Sequence, residues 1–124
     1  MNLNQVTISV KNIDKSIAFY EQLGLKLIVK TPDYARFECP EGDATFSLLL
    51  NPSNRQTSNT QIYFEVENVD EKIKELLKKG IAIEQLPELK EWLWKEAVLK
   101  DPDNNQIIIY HAGENRKNPP WRIK

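Results

Sequence analysis

Gln5-Val6-Thr7-Ile8-Ser9-Val10-Lys11-Asn12-Ile13-Asp14-Lys15-Ser16-Ile17 returns, altered, as Gln61-Ile62-Tyr63-Phe64-Glu65-Val66-Glu67-Asn68-Val69-Asp70-Glu71-Lys72-Ile73. Gln5 and Gln61, Val10 and Val66, Asn12 and Asn68, Asp14 and Asp70, Ile17 and Ile73, and Gly24 and Gly80 are identical at one constant offset of 56. A common grammar of strand and helix openings explains Asp and Gly, but not Gln, Asn and Ile kept in register. The chain therefore reads as a duplicated supersecondary unit, each copy needing other elements to bury its apolar face.

Each copy opens with a period of two. Val6, Ile8 and Val10 alternate with Gln5, Thr7 and Ser9, which predicts a half-buried strand over residues 3–10 whose polar face meets water or a ligand. Asn12 or Asp14 then offers a side-chain oxygen to the free amides of a helix start, and Ile13, Ile17 and Tyr20 recur at helical spacing up to Gly24. Short strand-like runs follow at 26–30, 34–38 and 45–50, separated by Thr-Pro-Asp and Pro-Glu-Gly-Asp turns. The first copy thus reads β-α-β-β-β over residues 1–50.

Residues 51–60 are polar and aperiodic, and read as a linker. The second copy, 61–111, repeats the order. It has a strand at 61–66 and a helix with Val69, Ile73, Leu76 and Leu77 on one stripe, ending at Gly80. Strands are predicted at 82–84, 92–100 and 106–110, with Asp101-Pro-Asp-Asn-Asn105 as the last hairpin. The tail, 112–124, contains Asn118-Pro-Pro-Trp-Arg122 and reads as neither helix nor internal strand, with Trp121 docking on a surface, its own or a partner's.

At 124 residues, with 17 Lys plus Arg against 18 Asp plus Glu, the chain reads as one domain with no field for a polyanion or an anionic membrane. No apolar run nears the roughly 20 residues of a membrane span, and no cationic leader precedes one. These features predict a cytoplasmic protein without nucleic-acid or membrane partners. The lone Cys39 cannot form an internal disulfide, and as a nucleophile it has only His111 to activate it.

The duplicated β-α-β-β-β unit, the Val-x-Asn-[Ile/Val]-Asp opening of each helix, Phe19-Tyr20 before Leu23-Gly24-Leu25, and the Asp101–Asn105 hairpin before an Ile-rich strand together resemble the vicinal oxygen chelate superfamily. That superfamily includes glyoxalase I, bleomycin-resistance proteins, fosfomycin-resistance transferases and extradiol dioxygenases. The resemblance covers the chain to about His111. It implies an α+β fold of two tandem modules in a curled mixed sheet, a cup with helices outside and a ligand cavity inside. It also implies a homodimer.

In metal-dependent members, His and Glu ligands lie on the first and last strand of each module. The matching positions here are Gln5, Ser47, Gln61 and Ile108, a donor set too weak to offset the desolvation of a divalent cation. No cofactor is therefore expected. The alternative is a rearranged metal set of Glu65, Glu96 and His111. Glu65 and Glu96 are also the candidate general bases, and Arg36 or a cationic ligand is a candidate partner for Glu65.

Trp92 and Trp94 alternate along the predicted strand at 92–100, which puts both indoles on one face with Glu96 next in line. Tyr63 and Tyr110 join that face if the register holds. The expected ligand site is Gln5, Thr7, Ser47, Gln61, Tyr63, Glu65, Trp94, Ile108 and Tyr110, an apolar pocket with a few amides for orientation. Two functions follow: a metal-free protein that binds or sequesters a flat or apolar small molecule, or a metal-dependent lyase, isomerase or dioxygenase. A third reading makes the tail around Trp121 a contact for a protein partner.

Overall fold

The computed structural model describes residues 1–53 and 60–123; most of the predicted linker, 54–59, lies outside the described residues. The chain divides into two compact units, 1–57 and 58–124. Unit one contains β1 (Gln5–Val10), α1 (Ile13–Leu23), β2 (Lys26–Thr31), β3 (Tyr34–Glu38) and β4 (Thr45–Leu50). Unit two contains β5 (Gln61–Glu65), α2 (Val69–Lys78), β6 (Gln85–Leu89), β7 (Lys95–Lys100), β8 (Gln106–His111) and a single 3-10 turn, Gly113–Arg116.

The repeated Asn explains itself at once. Asn12 and Asn68 both sit in extended backbone, and each side-chain oxygen accepts from the amide three residues on, Lys15 N and Glu71 N, at 3.0 Å. Each satisfies one of the orphan donors of a helix start. Gly24 and Gly80 close the same helices with φ of 108° and 82°, a conformation that costs glycine nothing.

The strands form two separate four-stranded sheets, β1-β4-β3-β2 and β5-β8-β7-β6. The two tandem β-α-β-β-β modules form as expected, and each completes its own mixed ladder. In both, the first strand runs parallel to the fourth and the other pairs are antiparallel. Within each unit the apolar face of the sheet is covered by the unit's own helix. Tyr20, fully buried, packs between Phe46 (ring centroids 4.8 Å) and Phe37 (6.0 Å) in the first core, with Val10, Ala35 and Leu48. In the second, Ile73 and Leu76 of α2 are buried with Ala97, Leu99, Ile107 and Ile109. Leu77, expected on the stripe, is instead 48% exposed.

Three further expectations need correcting. The strand predicted at 82–84 is β6, at Gln85–Leu89; Pro87 lies within it, where its missing amide is tolerated because β6 is an edge strand interrupted by a bulge between Gln85 and Glu88. The strand predicted from Trp92 starts only at Lys95, because Leu93 adopts a left-handed φ of 69° in the turn that closes β6 onto β7. Two bonds hold that turn, Lys90 N to Trp94 O at 2.8 Å and Leu93 N to Lys90 O at 2.9 Å. The tail does hold a helical turn, at Gly113–Arg116, and Trp121 is 57% exposed, so it is not docked on the chain's own surface.

The Asp101–Asn105 hairpin forms where predicted. The Asp101 carboxylate accepts from Asp103 N, Asn105 N and Asn105 Nδ2, each at 2.9 Å, and Asn104 takes the left-handed position at φ 65°. Asn12→Ala and Asn68→Ala should each lower the unfolding free energy by about 1 kcal/mol, read as a shift in urea midpoint with unchanged slope. Aspartate at either position should retain most of the wild-type value.

Candidate functional site

Each sheet has one face under its helix and one face that the helix leaves uncovered, and period two sends the polar members of the echo to the second. On the first module this open face is a hydrogen-bonded chain across three strands. Gln5 Nε2 donates to Ser47 Oγ at 2.7 Å and to Thr7 Oγ1 at 3.0 Å, while Gln5 Oε1 accepts from Thr45 Oγ1. Ser47, fully buried, lies 2.7 Å from the Tyr34 phenol oxygen, and Arg36 Nε donates to that oxygen at 2.9 Å. The bond to Ser47 lowers the Tyr34 pKa from its ordinary value; burial opposes the shift, and the hydrogen bond and charge of Arg36 assist it.

On the second module the corresponding face is aromatic. Tyr63 stands edge-on to Trp94 (centroids 5.9 Å, 85°) and to Tyr110 (5.2 Å, 88°), and Trp94 and Tyr110 lie 5.0 Å apart at 33°. Ile108, Tyr110 and Ala112 are buried, with Trp94 and Val98 packed against them. Edge-to-face rings at these distances attract through their quadrupoles as well as by area. Trp94 Nε1 donates to the Asn115 carbonyl at 3.2 Å, so the tail fixes the indole. Gln61 Nε2 donates to Gln106 Oε1 at 2.8 Å, and the Tyr63 hydroxyl donates to Gln61 Oε1 at 3.4 Å.

Glu96 is buried on this same face, directly across from Tyr110, and its carboxylate accepts from Trp92 Nε1 at 2.7 Å. Trp92 therefore reaches Glu96 from the turn and not from the strand. Burial first, and then the Glu96 charge, raises the Tyr63 pKa. Burial also leads in raising that of Tyr110, with Glu65, Tyr63 and Glu96 adding to the rise and Arg116 opposing it.

Glu65 has a different task. Its Oε2 accepts from the amides of Ala112 (2.7 Å) and Gly113 (3.0 Å), with His111 Nδ1 at 3.8 Å and Arg116 Nε 3.9 Å from Oε1. Burial pushes the Glu65 carboxyl up, but the two amides, and after them His111 and Arg116, outweigh it and hold the pKa below the ordinary carboxylate value. A carboxylate so committed is a poor proton acceptor and a poor metal ligand. His111 Nδ1 faces the Val66 carbonyl at 2.8 Å, which fixes the proton on that nitrogen in the neutral ring.

Among the described residues no three His, Cys, Asp or Glu side chains are grouped as a cation requires. Glu65, Glu96 and His111 thus do not form the alternative ligand set. At the four positions matched to the superfamily's ligands, Gln5 and Ser47 bond each other, Gln61 bonds Gln106, and Ile108 is buried hydrocarbon. These donors do not fit a divalent ion. Sequence reasoning missed Tyr34, Thr45, Gln106 and Val98, all legible in principle from period two, and Asn115 and Arg116, which belong to an aperiodic segment.

Residues 2–109 match the Glyoxalase/Bleomycin resistance protein/Dioxygenase superfamily. A curated relative, the uncharacterized protein YraH of Bacillus subtilis (strain 168), is 31% identical over 127 residues, covering 89% of this chain and 98% of its own. Among solved structures, the bleomycin resistance determinant encoded on transposon Tn5 superposes with a TM-score of 0.76 at 20% identity, covering 90% of this chain and 98% of its own. A bleomycin-binding protein complexed with bleomycin gives 0.75 at 21% identity, with the same coverage of each chain. Lactoylglutathione lyase from Agrobacterium tumefaciens gives 0.73 at 18%, covering 89% and 92%. The chain belongs to the glyoxalase/bleomycin resistance protein/dioxygenase superfamily. No helix among the described residues is long and apolar enough to cross a membrane.

Because the folded pKa of Glu65 is depressed, its ionised form contributes stability that is fully present above the unfolded-state pKa. That contribution is lost as pH falls through the folded value. Glu65→Gln should therefore lower Tm at neutral pH and narrow its gap to wild type as pH falls below the ordinary carboxylate range, measured by thermal unfolding from pH 7 to pH 3.

Proposed function

We propose that this protein is a metal-free binder of a small, flat, largely apolar molecule, acting in the cytoplasm as a homodimer. The observation that carries the reading is the ring cluster on the open face of the second module. Tyr63, 40% exposed, presents a ring edge-on to the Trp94–Tyr110 pair, and Gln61 and the Tyr63 hydroxyl stand beside it as orienting polar groups. Apolar area with sparse polar anchors favours a planar ligand whose charge is low or delocalised. The structural likeness to a protein complexed with bleomycin, and Gln, Ser and Ile at the positions matched to metal ligands, support binding over metal-dependent lyase, isomerase or dioxygenase chemistry.

Glu96 favours a second reading. A buried carboxylate beside the ring cluster would serve as the general base for a bound substrate, and metal-free proton transfer at that residue would make the protein an enzyme.

Titration of intrinsic tryptophan fluorescence with a panel of planar aromatic compounds, bleomycin among them, tests the proposal. At least one compound should quench saturably, and Trp94→Ala should weaken it by about ten-fold or more, as for a ring at the centre of a contact. Elemental analysis of untagged protein after equilibration with zinc, nickel, manganese and iron should find no near-stoichiometric metal. Bound metal with a raised Tm would replace the binding reading with the metalloenzyme one. Sedimentation equilibrium at micromolar concentration should return twice the chain mass.

A further inference from the structure

The open face of the first module carries a hydrogen-bond network that ends, at Tyr34 and Arg36, in spare donors. Ser47 Oγ receives a proton from Gln5 Nε2, and the phenol oxygen of Tyr34 receives one from Arg36 Nε. Between Ser47 and Tyr34 there is a single 2.7 Å contact, which uses one proton, yet the two hydroxyls own two. One O–H is therefore left without an acceptor inside the network. Ser47 is fully buried and Tyr34 is partly exposed, so a relay running Gln5 to Ser47 to Tyr34 delivers the surplus proton to the phenol, at the surface.

Arg36 adds to the same surplus. Its Cζ stands 5.4 Å from the Tyr34 ring centroid, a cation–π placement that steadies the guanidinium. Only its Nε is used on Tyr34; among the described residues its Nη groups make no ion pair. Glu38, the carboxylate on the same face of β3, stands at the strand's end opposite Lys26 and Thr45. The uncommitted groups around Tyr34 are thus a planar fork of N–H bonds and one O–H, with a matching anion as the complement.

We propose that this face binds the carboxylate group of a small organic molecule, with the Arg36 Nη groups and the Tyr34 hydroxyl donating to its oxygens. The Gln5–Ser47 relay orients the phenol. The lowered Tyr34 pKa agrees, since it reflects the same two donors crowding one oxygen. The site uses no residue of the second module.

Titration of the full chain with sodium benzoate at fixed ionic strength, followed by ¹H–¹⁵N NMR, tests the site, with benzamide as neutral match and inorganic phosphate as tetrahedral comparator. Benzoate should shift the Arg36 Nε–H signal and the amides of residues 34–36 saturably, whereas benzamide should not. Arg36→Gln should weaken benzoate by about ten-fold or more, Arg36→Lys by less, and Tyr34→Phe by a few-fold. Both side chains lie at the surface, so unchanged spectra away from the site certify folding. Equal binding of benzamide, an Arg36→Gln variant with wild-type affinity, or phosphate binding more tightly than benzoate would each overturn the carboxylate assignment.

Discussion

A parallel strand pair in each sheet is the constraint on which the rest of this structure depends. For β4 to lie alongside β1 in the same direction, the chain must leave β1, cross, and return. The helix that follows β1 is deposited on one face of the sheet. The same holds for β5, α2 and β8. With two antiparallel strands completing each sheet, one face is sealed by an apolar helix stripe and the other is left to alternating side chains that the helix does not dictate. That freedom lets one scaffold carry unlike chemistry on its two copies.

The two open faces show how far copies at a constant offset can part. Gln5 and Gln61 are retained, but Thr7 is matched by Tyr63, Ser9 by Glu65, and across the sheet Ser47 by Ile108. On the first module these choices join amide, hydroxyl and guanidinium in one polar chain. On the second they build a wall of rings backed by a buried carboxylate. Neither face could be exchanged for the other without leaving polar atoms against hydrocarbon.

Local, periodic features were legible in the sequence. The Asn caps, the Gly helix ends and the Asp101 hairpin are properties of a few adjacent residues, and the alternation of Gln5, Thr7 and Ser9 follows from the pleat itself. Legibility stopped where a residue's state depends on a distant one. The turn at Leu93 had no glycine to announce it, so Trp92 read as strand. The 3-10 turn depends on Glu65 reaching amides more than 40 positions away, which no window around residue 113 contains. Glu65 itself read as a candidate base because its sequence neighbours say nothing of the amides that occupy it. Pro87, a strand breaker by rule, is accommodated because β6 is an edge, and edge status is a fact of topology.

The turns preceding the last strand of each module differ in a way that matters to anyone who would rebuild the protein. Residues 101–105 wrap a buried carboxylate that accepts three bonds from the loop's own backbone and side-chain nitrogens, so an insertion there would break them. Residues 40–44 are exposed throughout, and a side chain added at Gly42 would meet no atom within 4 Å. Foreign peptide belongs in that second place, where grafting would leave the first module's own ladder and open face as they are.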